Sequence, residues 1–267
     1  MSTLKRTALV TGASSGIGEA FAEVFAAAGF DLVVTARRED RLRTVAARLE
    51  RQHHIRAHVI VADLEAPGGV ERLCAEVASR GLAIDALVNN AGYGVPGGYL
   101  KNSWDRHEAF IAIMISAVAE LTHRLLPGMV ERQYGRIINV ASLAGLMPAP
   151  AGHTLYAASK AFVIKFSEAL AAEVSSAGVH VTAVCPGFTY SEFHDVTGTR
   201  PLVSRLPTFL WMDAPTVARQ GFDAVMAGRP IEVNGSVNKT IALLGRLLPR
   251  PVLNYLSRKA SRGYRQT

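Results

Sequence analysis

TGASSGIG, residues 11–18, stands between an apolar run, TALVT at 7–11, and a helical pattern that begins near residue 16. A glycine cluster is informative in that strand-to-helix context and weak outside it. Gly12 lets the chain turn tightly, Gly16 lets backbone N–H groups approach a pyrophosphate, and Gly18 lets the helix pack closely on a sheet. The turn also holds Ser14, Ser15 and Ile17. Its exposed N–H groups and the dipole of the following helix favour an anion. The spacing is not GxxxxGK[ST], which disfavours a Walker-type nucleotide hydrolase. The competing reading is that the glycines serve only the turn.

Outward from this turn, apolar runs alternate with longer helical patterns. The runs are 31–36, 55–62, 84–90, 136–142 and 180–186, and the helical patterns lie near 16–28, 38–52, 67–80, 102–130 and 155–177. Strands apolar on both sides belong to a parallel sheet covered by helices, and each helical pattern is long enough for the crossover that a parallel pair requires. The expected fold is a Rossmann-type, doubly wound α/β sheet in three layers, α/β/α, forming a single domain. After Pro186 the pattern breaks, then resumes with a helix near 214–227 and a strand at 231–233. Residues 1–235 are expected to form the dinucleotide-binding unit, with a lid over about 190–213, and 236–267 a basic amphipathic extension.

Of 267 residues, 49% are hydrophobic and 19% charged, enough for one sizeable core. Two cysteines, Cys74 and Cys185, lie far apart without metal-type spacing and read as inert thiols in a reducing compartment. No metal site is expected. Neither an export leader nor an uninterrupted apolar run of spanning length is apparent, so a cytoplasmic protein, at most peripheral to a membrane, is expected. The net charge of +7 comes wholly from 236–267, where Lys239, Arg246, Arg250, Arg258, Lys259, Arg262 and Arg265 occur without an acid. A nucleic-acid surface spreads its charge along a groove, so nucleic-acid binding is not expected.

The second strand ends in TARRED. A carboxylate there would hold a ribose 2′-OH, whereas Ala36 followed by Arg37 and Arg38 suits a 2′-phosphate, and hence NADP(H) over NAD(H). The alternative is a solvated, arginine-rich helix start. Further on, TLYAASKAF at 154–162 puts Tyr156 and Lys160 on one helical face. An ammonium about 4 Å from a phenol contributes on the order of 4 kcal/mol at an effective dielectric near 20, enough to lower its pKa by two to three units. Lys160 is therefore expected to acidify Tyr156.

With the glycine turn, NNAG at 89–92, Ser142, the Tyr156/Lys160 pair and PGFT at 186–189, the chain resembles the classical short-chain dehydrogenase/reductase family over about residues 5–235. The resemblance implies a carbonyl/alcohol oxidoreductase. Ser142 would orient the substrate oxygen, Tyr156 would exchange its proton, and Lys160 would hold the cofactor ribose. Asp63 and Leu64 would lie by the adenine, Asn90, Ala91 and Gly92 would line the groove, and Pro186, Gly187 and Thr189 would fix the nicotinamide end. Local structural roles are open for Asp63 as a cap, for Asn90 and Gly92 as loop formers and for Ser142 as a strand end. A homodimer or homotetramer is implied. A Ser-His-Asp hydrolase using His153 is disfavoured, because no GxSxG elbow is present.

The chain departs from the family at Met114, where an asparagine normally supports a proton-relay water, an amide that Met cannot replace. Activity is expected to persist because Ser142, Tyr156 and Lys160 are intact, with either a backbone carbonyl at this turn holding that water or the relay running by another route; a slow enzyme with Met114 as a plain core residue is a further reading. The alternative is a non-catalytic dinucleotide-binding regulatory or interaction protein. Phe193, Leu206, Phe209, Leu210 and Trp211, with Leu143, Leu146 and Met147, point to an apolar carbonyl compound or alcohol as the small-molecule substrate. The tail either covers the site mouth, joins subunits or rests on an anionic membrane surface, the first two being preferred.

Overall fold

A computed structural model describes residues 5–95, 97–149, 151–192, 207–249 and 251–253. Its strands are β1 (Thr7–Thr11), β2 (Asp31–Ala36), β3 (Ala57–Val61), β4 (Ala86–Asn89), β5 (Gly135–Val140), β6 (Val179–Cys185), β7 (Phe188–Tyr190), β8 (Trp211–Asp213) and β9 (Ile231–Val233). Seven of them form one sheet in the order β3-β2-β1-β4-β5-β6-β9, every pairing parallel. β7 and β8 make a separate parallel pair. The helices are α1 (Gly16–Ala27), α2 (Glu39–His53), α3 (Gly69–Ser79), α4 (Trp104–Ile111), α5 (Ala117–Glu131), α6 (Thr154–Val174), α7 (Ala214–Met226) and α8 (Ser236–Leu247).

The sheet is buried on both faces, which explains why its strands read as apolar runs rather than as alternating patterns. Ala8 and Val10 of β1 pack with Phe21 and Phe25 of α1, Leu42 of α2 and Val217 of α7. Leu9 faces the other way, into a core with Leu73 of α3, Phe110 of α4 and Leu121 of α5. The result is the expected three-layer, doubly wound α/β fold. Strand order reverses direction between β1 and β4, and ligands of such sheets bind beyond the strand C-termini at that point.

The helical pattern at 102–130 is not one regular helix. A π-helical turn, Ala112–Ser116, separates α4 from α5, with the Ala117 N–H bonded to the Ala112 carbonyl. Wide turns of this kind are frequent at functional sites, and Met114 lies inside this one. The stretch Trp104–Glu131 is also apolar enough, with a mean hydropathy of 1.6 over its best window, to cross a membrane by length and composition. Counting only uninterrupted apolar runs overlooked it. Phe110, Leu121 and Met129 on this stretch are fully buried against the sheet, as in a core helix.

The first part of the tail packs on the body of the protein. In α8, Asn238 is buried and its amide donates to the Asn234 carbonyl at 2.7 Å. Leu243, Leu244 and Leu247 face outward. Arg250, Arg258, Lys259, Arg262 and Arg265, like Phe193 and Leu206 of the expected lid, lie outside the described residues.

Candidate active site

The turn after β1 and the turn after β4 are tied together. The Thr11 hydroxyl donates to the Val88 carbonyl (3.1 Å) and accepts from the backbone N–H groups of Asn90 (2.9 Å) and Ala91 (3.0 Å). The Asn90 amide donates to the Thr11 carbonyl at 2.9 Å and the Gly12 carbonyl at 3.3 Å. This leaves no room beside α1: a Cβ on Gly18 would stand 2.3 Å from the Gly12 oxygen and 2.4 Å from the Asn90 amide nitrogen. Asn90 therefore shapes the loop as well as lining the cleft.

Those turns form the floor of a cleft of about 400 Å³ at the C-terminal edge of the sheet. Gly12, Ser14, Ser15, Gly16, Ile17, Arg37, Arg38, Asp63, Leu64, Asn90, Ala91 and Gly92 line one part of it, and Ser142, Tyr156, Lys160, Pro186, Gly187 and Thr189 the other. Gly18 of the expected set is absent from the lining, and it acts through the close approach just described. Arg38 lies on the glycine turn, donating to the hydroxyls of Ser14 (3.0 Å) and Ser15 (2.9 Å). Arg37 is more exposed and stands 3.8 Å from the Glu65 carboxylate. The Asp63 carboxylate accepts from the Glu65 N–H at 3.1 Å, a local cap at the cleft edge.

At the other end, Ser142 follows β5 and starts a short 3-10 turn, its hydroxyl accepting from the Ala144 N–H at 3.1 Å. The turn rests on α6, because a Cβ on Gly145 would lie 2.7 Å from the Lys160 carbonyl carbon. Ser142 is thereby fixed beside Tyr156, and their hydroxyls are hydrogen-bonded. The Lys160 ammonium donates to the Val140 carbonyl at 2.7 Å and sits 5.8 Å from the Tyr156 ring centroid.

The electrostatics differ from expectation. Burial pushes the Tyr156 phenol above its ordinary value, and only the Ser142 hydrogen bond opposes this. Desolvation outweighs any acidifying influence here, and the Lys160 ammonium is hydrogen-bonded to the Val140 carbonyl. Burial pushes Lys160 down to about 8, with the Cys185 thiol as a weaker opposing influence. Cys185 itself is pushed up to about 12 by burial and remains a thiol, in keeping with an inert role. His153 packs edge-on against Tyr156, with ring centroids 6.0 Å apart, and burial lowers its pKa.

Met114 is buried in the cleft wall, and a Cβ on Gly92 would meet its sulfur at 2.4 Å. Where α8 meets the body of the protein, a Cβ on Gly245 would lie 2.8 Å from the Met147 sulfur, and one on Gly187 would lie 2.5 Å from the Asn238 side chain. Tyr190 stacks on Trp211 at 4.7 Å, joining β7 to β8. Among the described residues no cluster of His, Cys, Asp and Glu could hold a metal.

Two features escaped the sequence reading. Glu192, just past β7, pairs with Arg38 and Arg41 at the cleft edge. A buried polar chain runs beneath the site, the Asn89 amide donating to Asn139 (2.8 Å) and Thr122 (3.2 Å), and the Asn139 amide to Ser167 (2.9 Å). The first Asn of NNAG was visible as a polar residue in an apolar strand, a signal for such a network. Nothing local marked Glu192.

The residues present fit a nicotinamide dinucleotide: a backbone cradle at a helix N-terminus, a cationic group at the end of β2, and a hydroxyl-and-ammonium cluster at the far end. The short chain dehydrogenase model matches residues 6–200. The oxidoreductase UcpA of Salmonella typhimurium is 38% identical over 183 residues, 68% of this chain and 69% of that protein. The very-long-chain 3-oxoacyl-CoA reductase of Anas platyrhynchos is 38% identical over 195 residues, 71% of this chain and 62% of that protein. A short-chain dehydrogenase from Sphingobium yanoikuyae, solved in complex with NADPH, superposes with a TM-score of 0.80 at 31% identity, covering 90% of this chain and 93% of that one. The chain belongs to the short-chain dehydrogenase family, oxidoreductases that interconvert alcohols and carbonyls with a nicotinamide dinucleotide.

Proposed function

We propose that this protein is an NADP(H)-preferring reductase of apolar carbonyl compounds in which Tyr156 is the proton donor. The observation that carries the reading is the convergence of Ser142, Tyr156 and Lys160 in one cleft with the Tyr156 phenol raised by burial. A phenol whose pKa is raised is neutral near pH 7 and holds the proton that reduction consumes. The cofactor would rest on the glycine turn, with Arg38 toward the adenosine 2′-phosphate and Lys160 toward the nicotinamide ribose. Bound there in its reduced form, it supplies the hydride.

The Ser142 hydroxyl orients the carbonyl oxygen and stabilises the negative charge that develops on it. Tyr156 gives its O–H proton to that oxygen, so the carbonyl becomes an alcohol and the phenol a phenolate. The positive charge of Lys160 favours that phenolate, which recovers a proton from solvent. In the π-helical turn, backbone carbonyls rather than a residue-114 amide support the relay.

An apolar substrate is supported by Leu143, Leu146 and Met147 beyond Ser142 and by the name of the reductase from Anas platyrhynchos, which specifies very-long-chain 3-oxoacyl-CoA. The packing of α8 near Gly187 and Met147 supports a tail that walls the substrate entrance. Its outward Leu243, Leu244 and Leu247 are read as a contact between copies of the chain. Light scattering with vesicle flotation checks this, and a monomer that floats with anionic vesicles contradicts it.

Titration with NADPH and NADH, followed by a panel of ketones, 3-oxoacyl thioesters and secondary alcohols, tests the whole reading. Tighter NADPH binding and NADPH-dependent reduction are expected. The presence of Met114 supports one second reading, a dinucleotide-binding regulatory protein. Binding of NADPH with no turnover across the panel would favour it.

A further inference from the structure

We propose that Glu192 is a cofactor-specificity residue, a built-in carboxylate that occupies the 2′-phosphate subsite and competes with NADP(H) for Arg38. This rests on the reading of Arg38 as the 2′-phosphate ligand. One Glu192 carboxylate oxygen, Oε2, accepts from Arg38 at 2.8 Å, and the other, Oε1, accepts from Arg41. Arg38 is at the same time hydrogen-bonded to Ser14 and Ser15 on the glycine turn, so the carboxylate stands where a phosphate on that guanidinium would stand.

The backbone beside Glu192 also lies over the turn, since a Cβ on Gly16 would come within 3.0 Å of the Ser191 Cβ. The position of Glu192 is anchored from behind by β7, which is paired with β8 and braced by the stacking of Tyr190 on Trp211. The two arginines, Arg41 first and Arg38 second, hold the Glu192 carboxyl down to about 2, so it is ionised at every working pH.

A carboxylate and a phosphate cannot share one guanidinium without repulsion, so Glu192 must leave Arg38 when a 2′-phosphate arrives. Both partners are partly solvent-exposed, at 44% and 39%, and exposed ion pairs are weak enough to exchange with a more highly charged anion. A dinucleotide with a free 2′-OH brings no such anion and leaves the pair intact. Glu192 thus weakens NADPH binding selectively and narrows the preference that Arg38 creates.

The test uses the full-length protein, with equilibrium titrations of NADPH, NADH, 2′,5′-ADP and 5′-AMP against wild type, Glu192→Gln, Glu192→Ala and Arg38→Ala, and with thermal melts of each. Both Glu192 variants are expected to bind NADPH and 2′,5′-ADP about 3- to 10-fold more tightly, with NADH and 5′-AMP within about twofold of wild type. Unchanged or weaker 2′,5′-ADP binding in both, while Arg38→Ala loses NADPH selectivity, overturns the role of Glu192 and leaves the cofactor reading standing. If Arg38→Ala changes neither NADPH nor 2′,5′-ADP binding, the cofactor reading falls and the Glu192 proposal with it.

Discussion

The Lys160 ammonium donates to the Val140 carbonyl, 2.7 Å away at the end of β5, which holds a buried cation at the rim of the sheet. Burial lowers Lys160 from 10.5 to about 8. The folded protein therefore releases this proton before the unfolded chain does. Between about pH 8 and 10.5 the unfolded state binds more protons, so the contribution of this group to stability rises with pH. Affinity for an anionic dinucleotide moves the other way. NADPH titrations from pH 6.5 to 9.5 are expected to show constant affinity below roughly pH 8 and a loss of about fivefold above it, absent in Lys160→Met.

Gly18→Ala places a Cβ 2.3 Å from the Gly12 carbonyl and 2.4 Å from the Asn90 amide, groups fixed by the hydrogen bonds that join the two turns. The strain has no flexible side chain to absorb it. A loss of about 2 kcal/mol, or roughly 4–8 °C in melting temperature, is expected, together with loss of measurable dinucleotide binding. Differential scanning calorimetry and titration check both.

The two arginines after β2 are not equivalent. Arg38 is seated on Ser14 and Ser15, while Arg37 reaches outward to Glu65. Arg38→Ala is expected to weaken NADPH binding on the order of tenfold or more, with NADH little changed, because a charge-assisted contact to the 2′-phosphate is lost. Arg37→Ala is expected to change the NADPH-to-NADH ratio by about threefold or less. Paired titrations measure it.

The glycine turn, TARRED and the Tyr156/Lys160 pair were legible because each is local: strand, turn and helix follow one another within a short stretch, and the chemistry follows from residue type. The layered sheet was legible for a related reason, since strands covered on both faces leave continuous apolar runs. Features joining distant segments were not. Arg38 and Glu192 are separated by 154 positions, and no periodicity brings them together. The π-helical turn at Ala112–Ser116 depends on how α4 and α5 seat on the sheet, so the pattern at 102–130 showed only one long helix. The spacing of Lys160 gives its proximity to Tyr156 but not the Val140 carbonyl that its ammonium meets.

Ser142 is held by the Ala144 N–H and bonded to Tyr156, so its loss removes a donor near the reacting oxygen with little disturbance elsewhere. Ser142→Ala is expected to lower kcat on the order of 100-fold with NADPH affinity within about threefold of wild type. Steady-state kinetics on any active ketone, with a parallel titration, separates the two quantities.

The central claim is that the buried Tyr156 hydroxyl supplies the proton. Single-turnover reduction with NADPH in Tyr156→Phe, which keeps the ring and removes only the hydroxyl, tests it most directly. A fall of about 100- to 10,000-fold in the rate of hydride transfer is expected, with the dissociation constant for NADPH nearly unchanged. Turnover within about threefold of wild type would contradict the account.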